Sequence, residues 1–176
     1  MKMFNNVLTE NLLSDIRMDI SEAHDEEAWK SSFAWRYGLT TGFFSNCLSR
    51  TIEGEMKEKI LKEIKPLIPE CNVYYLQYYI WQQLSGIAVH DDEDKIFGAT
   101  IYLNERWEPE NGGIFLYKDK KNSGQEWNAL LPERNNMVLN DEHELHMVTA
   151  VSPYSTDLRY TIQIWGQDKD YDEYED

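Results

Sequence analysis

"NVYYLQYYIWQQLSGIAVHDDEDKIFGATIYLN", residues 72 to 104, decides what kind of fold this chain adopts. Its apolar residues are largely β-branched or aromatic and come in short runs, at 72–81, 86–90 and 97–104, separated by glycine, glutamine or acidic residues. Runs of this length and composition read as strands, because a helix would need a 3.6-residue apolar period over ten or more positions. The pattern continues in "GIFLYK" (113–118), "NMVLN" (136–140), "HMVTAV" (146–151) and "LRYTIQIW" (158–165). Turn-formers such as Asn111-Gly112-Gly113 and Asn122-Ser123-Gly124 punctuate it. Strands at this spacing, with no helical pattern between them, predict an antiparallel sandwich or barrel.

Upstream of residue 72 the period changes. In "SRTIEGEMKEKILKEIKPLIPE" (49–70), Ile52, Met56, Ile60 and Ile64 recur every four positions with Leu61 beside them, and Glu and Lys fill the other face. That spacing predicts an amphipathic helix stopped near Pro66 and Pro69. A weaker helical pattern covers 9–24, where Leu12, Leu13, Ile16 and Ile20 fall on one side. The expected fold is mainly β with N-terminal helices, an α+β arrangement in which the helices brace a sheet. With no internal repeat and no Gly/Ser linker, residues 1–166 read as one domain, helical support at 1–70 and a strand core at 72–166, followed by an acidic tail at 167–176.

Composition bounds the function classes. At 176 residues the chain is long enough for one substantial core, and 41% hydrophobic with 13% aromatic residues is enough apolar surface to fold. A formal charge of -15 argues against binding nucleic acid through its phosphates and favours cations or basic polypeptides. Much of that charge sits in "DKDYDEYED" (168–176), which reads as a solubilising terminus without chemistry. Cys47 and Cys71 are too few and too far apart for a disulfide framework, and no apolar run reaches the roughly 20 residues of a spanning helix. The expectation is a cytoplasmic protein with no membrane partner.

Within the opening stretch, His90, Asp91 and Asp92 interrupt apolar strand. Alternation on a strand puts His90 and Asp92 on one face and Asp91 on the other, so an imidazole and a carboxylate could chelate one cation. Three other histidines exist, and His24 lies in a helical acidic segment, which leaves His143 and His146 as candidate third ligands. Two imidazoles and one carboxylate form the facial set of non-haem Fe(II) oxygenases. A solvated acidic turn is the competing reading. In "LRYTIQIW", alternation sets Arg159, Thr161, Gln163 and Trp165 on one face and Leu158, Tyr160, Ile162 and Ile164 on the other. If that first face is enclosed, the Arg fork and the Thr hydroxyl need an anion such as a carboxylate.

These residues carry a resemblance. "HDD" (90–92), "IYLNERW" (101–107), "NGGIFLY" (111–117), "HMVTAVSP" (146–153) and "RYTIQIW" (159–165) stand in the order found in the 2-oxoglutarate and Fe(II)-dependent oxygenases, and specifically their prolyl 4-hydroxylase-like branch. The resemblance implies a double-stranded β-helix, or jelly-roll, with the metal between two sheets. It implies His146, the first residue of an H-x-V-x-x-V segment, as the third ligand beside His90 and Asp92, with His143 left as a loop residue. It further implies that Arg159 and Tyr102 meet the distal carboxylate of 2-oxoglutarate, that Thr161 stands beside the basic residue, and that Tyr79 contributes to the cosubstrate wall, ordinary sheet packing being the alternative for Tyr79.

The implied cofactors are Fe(II), 2-oxoglutarate and O2, with ascorbate as reductant. The implied reaction turns 2-oxoglutarate and O2 into succinate and CO2 while a C–H bond, in a prolyl or other side chain of a peptide or protein, is hydroxylated. Halogenases of this kind lack the carboxylate, so Asp92 favours hydroxylation. A hydroxylase of a free amino acid or other small molecule, a non-catalytic metal or 2-oxoglutarate-binding module, and a metal-free β-sandwich remain as alternatives. "FAWRYGLTTGFF" (33–44) and "DEDK" (92–95) are candidate lid segments, the former equally readable as core.

Overall fold

In the computed structural model the described residues are 1–23, 28–31, 47–120 and 126–168. The chain opens with β1 (Lys2–Phe4), α1 (Glu10–Glu22), β2 (Lys30–Ser31), β3 (Cys47–Thr51) and α2 (Gly54–Ile64). It continues through β4 (Val73–Trp81), β5 (Ile87–His90), β6 (Phe97–Tyr102), β7 (Phe115–Tyr117), β8 (Asn128–Leu130), β9 (Met137–Asn140), β10 (His146–Val148) and β11 (Arg159–Gln167). Among the described residues no helix is long and apolar enough to cross a membrane.

The strands form a seven-stranded major sheet in the order β1-β9-β6-β11-β4-β3-β2 and a four-stranded minor sheet in the order β5-β10-β7-β8. Every pairing between these strands is antiparallel. This is the antiparallel, helix-braced arrangement that the strand runs predict, in the double-stranded β-helix form that the resemblance implies. The major sheet separates two apolar layers. On its outer face Leu76, Tyr78, Ile101, Ile162 and Ile164 pack against Leu12, Leu13 and Ile16 of α1 and Ile60, Leu61 and Ile64 of α2. Between the sheets lie Tyr79, Trp81, Tyr102, Phe115, Val148 and Trp165.

The helices are tied to each other as well as to the sheet. Thr9 caps α1 by accepting from Leu12 N at 3.4 Å. Its own N–H and hydroxyl donate to the Glu63 carboxylate of α2 at 2.7 and 2.8 Å, so one glutamate satisfies a donor at the start of the other helix. α2 passes at Pro66 into a short 3-10 turn over Lys65–Leu67, where the proline was expected to stop it.

Residues 1–70, read from the sequence as helical support, also supply strands. β1 pairs with β9, and β3 pairs with β4 and carries β2 at the sheet edge. β8 likewise escapes the sequence pattern. In β3 only Cys47 and Ser49 are buried, and β1 and β8 are three residues long, so their strand character comes from their partners and not from an apolar period of their own.

Candidate metal centre

β5 and β10 are neighbours in the minor sheet, and their register sets His90 opposite His146. The two rings stand 4.1 Å apart between centroids. Asp92 does not reach them by strand alternation. β5 ends at His90, and Asp92 has φ 60°, in the left-handed region that Asp tolerates better than most residues. The turn after it is closed by Lys95 N donating to Asp92 O at 3.0 Å, and it swings the carboxylate back towards the histidines. Asp92 Oδ1 lies 3.5 Å from His90 Nε2, and Oδ2 lies 3.4 Å from His146 Nε2. One donor atom from each of the three residues lies within 4.8 Å of the others.

Backbone carbonyls hold both imidazoles at Nδ1. His90 Nδ1 sits 2.8 Å from Ala88 O and His146 Nδ1 sits 2.9 Å from Glu144 O. A carbonyl can only accept, so each of these two contacts is a hydrogen bond when Nδ1 carries the proton, the tautomer that turns the Nε2 lone pair towards Asp92. Burial, reinforced by the neighbouring His90, pulls the pKa of His146 down to about 4, which keeps it neutral. Asn140 fixes the chain around it, accepting from Glu144 N at 2.9 Å and donating to Glu144 O at 3.1 Å.

Space for the carboxylate comes from β6. A Cβ on Gly98 would lie 2.6 Å from Asp92 Oδ2 and 3.9 Å from Gln163 Nε2, so the missing side chain is what lets the carboxylate sit against the sheet. Gln163 is held from the other side by Thr100, whose hydroxyl donates to Gln163 Oε1 at 2.6 Å. Neither Gly98, Asn140, Gln163 nor Thr100 was singled out as a site residue from the sequence. The inward alternation of β11 marked Gln163, but nothing local marks Gly98, whose role exists only through Asp92.

The triad opens into a pocket lined also by Trp81, Phe115, Arg159, Gln163 and Trp165. As alternation predicts, Arg159, Thr161, Gln163 and Trp165 share the inner face of β11. Arg159 is 1% exposed and lies under the rings of Trp81 and Tyr102, 5.2 and 5.3 Å from its guanidinium carbon. Its Nε and Nη1, and the Tyr102 hydroxyl, are buried with no hydrogen-bond partner. Burial lowers the Arg159 pKa, and it pushes the Tyr102 phenol up to about 12 against the opposing pull of the Arg159 charge.

Thr161 Oγ1 accepts from Trp81 Nε1 at 3.0 Å, which leaves the hydroxyl proton to donate elsewhere. Gly113, at φ 61°, lies behind the arginine, where a Cβ would come 2.8 Å from Arg159 Cδ. Donors buried without partners beside a cationic fork suit a carboxylate, and three N/O ligands on one side of a cation suit iron with open positions. The residues therefore fit both a 2-oxo acid and Fe(II).

Tyr79 lies at the inner face of β4, with its hydroxyl donating to Gln77 Oε1 at 2.7 Å and its ring 6.2 Å from that of Trp165. His143, at φ 52°, stands in the β9–β10 loop with Nδ1 3.2 Å from Asp92 O, outside the cluster of converging donor atoms. His24, the candidate lid at 33–44, the turn at 122–124 and all but the first two residues of the 167–176 tail lie outside the described residues.

The fold of this chain recurs in solved structures. A Pseudomonas putida prolyl-4-hydroxylase superposes with a TM-score of 0.66 at 14% identity, covering 96% of this chain and 92% of that one. A prolyl hydroxylase from Trichoplax adhaerens, in complex with a hypoxia inducible factor oxygen degradation domain peptide fragment, gives 0.70 at 13% identity over 95% and 83%. HygX from Streptomyces hygroscopicus, with nickel, 2-oxoglutarate and hygromycin B bound, gives 0.60 at 11% identity over 94% and 82%. No curated protein matches the sequence. The family model described as the 2OG-Fe(II) oxygenase superfamily matches residues 76–167, which span β4 to β11 and hold both the three converging ligands and the buried arginine. With more than half of its length under that model, this chain belongs to the 2OG-Fe(II) oxygenase superfamily, whose members use Fe(II) and 2-oxoglutarate.

Proposed function

We propose that this protein is a 2-oxoglutarate-dependent dioxygenase that hydroxylates a C–H bond in a peptide or protein side chain, with prolyl residues the first class of target. The observation that carries the reading is the convergence, in one cavity, of two imidazoles whose Nε2 atoms face one carboxylate, and of a buried arginine with unpartnered nitrogens. His90, Asp92 and His146 hold the iron in this reading. Arg159 and Tyr102 take the distal carboxylate of 2-oxoglutarate, and Thr161 adds its free hydroxyl proton. Tyr79, whose proton is directed at Gln77, offers the cosubstrate a ring face only.

Bound there, Fe(II) and 2-oxoglutarate supply an oxidative decarboxylation that yields succinate and CO2 and delivers one oxygen atom of O2 to the substrate carbon. The chain itself orients the ligands through the carbonyls of Ala88 and Glu144, and excludes water with Trp81, Phe115 and Trp165. The peptide substrate is supported by prolyl hydroxylases among the structural neighbours and by an acidic molecule that would attract basic polypeptides. The hygromycin B bound to HygX favours a small-molecule substrate as the second reading. Cys47 and Cys71 are both free thiols, which fits a cytoplasmic enzyme.

The test is succinate formation from 2-oxoglutarate with Fe(II), ascorbate and air, with Asp92→Ala and Arg159→Ala beside the wild type. Turnover by the wild type and loss in both variants supports the site. Mass spectrometry of proline-containing peptides then decides the substrate. A gain of one oxygen atom supports the peptide reading, whereas turnover coupled only to a free amino acid or an aminoglycoside overturns it.

A further inference from the structure

Gln163 enters the pocket from the inner face of β11 and has no task in the proposed reading. Along that face Arg159, Thr161, Trp165 and Gln167 are buried, whereas Gln163 keeps part of its surface open. It stands beside the triad. The point where a Cβ on Gly98 would sit lies 2.6 Å from Asp92 Oδ2 and 3.9 Å from Gln163 Nε2, so carboxylate and amide flank one gap in β6.

The carboxamide has a fixed sense. Thr100, opposite Gln163 in the β6–β11 register, donates its hydroxyl proton to Oε1 at 2.6 Å. Gln77, opposite it on β4, is committed elsewhere: it accepts from the Tyr79 hydroxyl and donates to that of Tyr75, each at 2.7 Å. With Oε1 engaged, Gln163 has two Nε2 hydrogens left to give, and among the described residues no hydrogen bond takes them. They are not sealed within the protein, as the unpartnered Arg159 nitrogens are. They are open to the pocket.

With metal and cosubstrate in place, little else polar remains there. The triad is occupied by the cation and Arg159 by the distal carboxylate, while Trp81 donates to Thr161 and Thr100 to Gln163. Ile87, Phe115, Val148 and Trp165 make the remaining lining, and Asp92 is the one carboxylate among the described lining residues. An incoming group therefore meets a donor and no free acceptor. A carbonyl oxygen suits that wall, whereas an ammonium would lose its hydration with no anion to replace it.

We infer that Gln163 is a specificity-determining residue: its carboxamide donates to a carbonyl oxygen beside the carbon that is oxidised, so the substrate is an acylated, peptide-type unit and not a free amine. This rests on the dioxygenase reading and deepens it, because it separates peptides from free amines by what the pocket itself can bind. A prolyl residue within a chain fits, since its acylated nitrogen has no proton and its carbonyls only accept. The acidic field of the molecule acts on the distant charges of such a chain, and Gln163 reads the reacting unit.

The test uses the full-length protein loaded with Mn(II) and 2-oxoglutarate, with N-acetyl-L-prolinamide and L-prolinamide as probes. The first carries a neutral acylated nitrogen and the second an ammonium. Relaxation of the probes' ring protons by Mn(II) reports how much of each sits beside the metal. Loading is measured first, and a protein that takes up neither Mn(II) nor 2-oxoglutarate defeats the dioxygenase reading together with this inference. In the loaded protein the acetylated probe should be relaxed, and prolinamide at least about five-fold less. Equal relaxation of the two, or none of either, overturns the inference alone. Gln163→Leu should weaken the acetylated probe roughly 3–10-fold, the worth of one hydrogen bond. Gln163→Glu keeps an oxygen for Thr100 but turns the donor into an anion, so the preference should reverse towards prolinamide. A glutamine with only a structural role gives no reversal, and its failure in a variant shown by circular dichroism to be folded overturns the inference. A Gln163→Leu protein that loses Mn(II) affinity as far as it loses the probe overturns it too, because the residue would then be supporting Asp92.

Discussion

Arg159 is a guanidinium enclosed by protein whose Nε and Nη1 have no hydrogen-bond partner, and the rings of Trp81 and Tyr102 offset part of its desolvation. A group kept at that cost is kept for a ligand. Replacing it by a shape-matched apolar residue removes a buried unpaired charge, so Arg159→Met should raise the unfolding free energy of the ligand-free protein by roughly 1–3 kcal/mol. The same change should abolish the rise in melting temperature that 2-oxoglutarate with Mn(II) gives the wild type. Calorimetric melts with and without cosubstrate check both signs, and a variant that is destabilised yet still responds to 2-oxoglutarate would remove the arginine from the site.

His146 makes a pH prediction of its own. Its folded pKa of about 4 lies below the ordinary 6.5, so between these values the unfolded chain binds a proton that the folded chain refuses. The contribution to stability is full above the upper value and is lost as pH falls towards the lower one. The metal-free protein should thus lose on the order of 3 kcal/mol across that window through this residue, and His146→Phe should flatten that part of the curve.

At the scale of elements, the site is the meeting of the end of β5 with its neighbouring strand β10. The β5–β10 register supplies two candidate ligands, the tight turn after His90 supplies the third, and β6 supplies the gap that Asp92 fills. Gly98→Ala puts a methyl carbon 2.6 Å from Asp92 Oδ2, where backbone on one side and the ligand turn on the other leave little room to yield. The strand tolerates alanine, so the fold should survive, while Mn(II) affinity measured by titration falls about 10–100-fold, as when a metal's supporting shell is disturbed. Unchanged affinity would mean the turn is looser than its hydrogen bond at Lys95 implies.

This scale also explains what could be read from the sequence. The faces of β11 were legible because it is nine residues long and alternates in residue type, and His90 with Asp92 was legible because such residues are rare in strands, while the choice of His146 over His143 needed the family resemblance. Asp92 was brought to the right side by the wrong local geometry, since its left-handed φ leaves no trace in composition. Gly98, Asn140 and the short strands β1, β3 and β8 stayed hidden because each is defined by a partner distant in sequence.

The whole molecule is a sheet with a different task on each side. Its outer layer, against α1 and α2, is mostly aliphatic, whereas its inner layer is richer in aromatic residues and surrounds the cavity. Stability and function should therefore be separable by face. Ile60 is fully buried in the helical layer, and Ile60→Ala should cost roughly 2–5 kcal/mol through the lost methylenes and the cavity left behind. Measured below its melting temperature, that variant should still bind Mn(II) and 2-oxoglutarate as the wild type does, because nothing in the outer layer touches a ligand. Phe115 is the contrast. Its ring stacks on His146 with centroids 5.3 Å apart and planes at 21°, so Phe115→Ala should both destabilise by a similar amount and weaken Mn(II) binding at least ten-fold by freeing the imidazole. Isothermal titration of both variants at one temperature, paired with denaturant unfolding, separates the layers. Equal losses of metal affinity would show instead that the two faces are mechanically coupled through the strands between them.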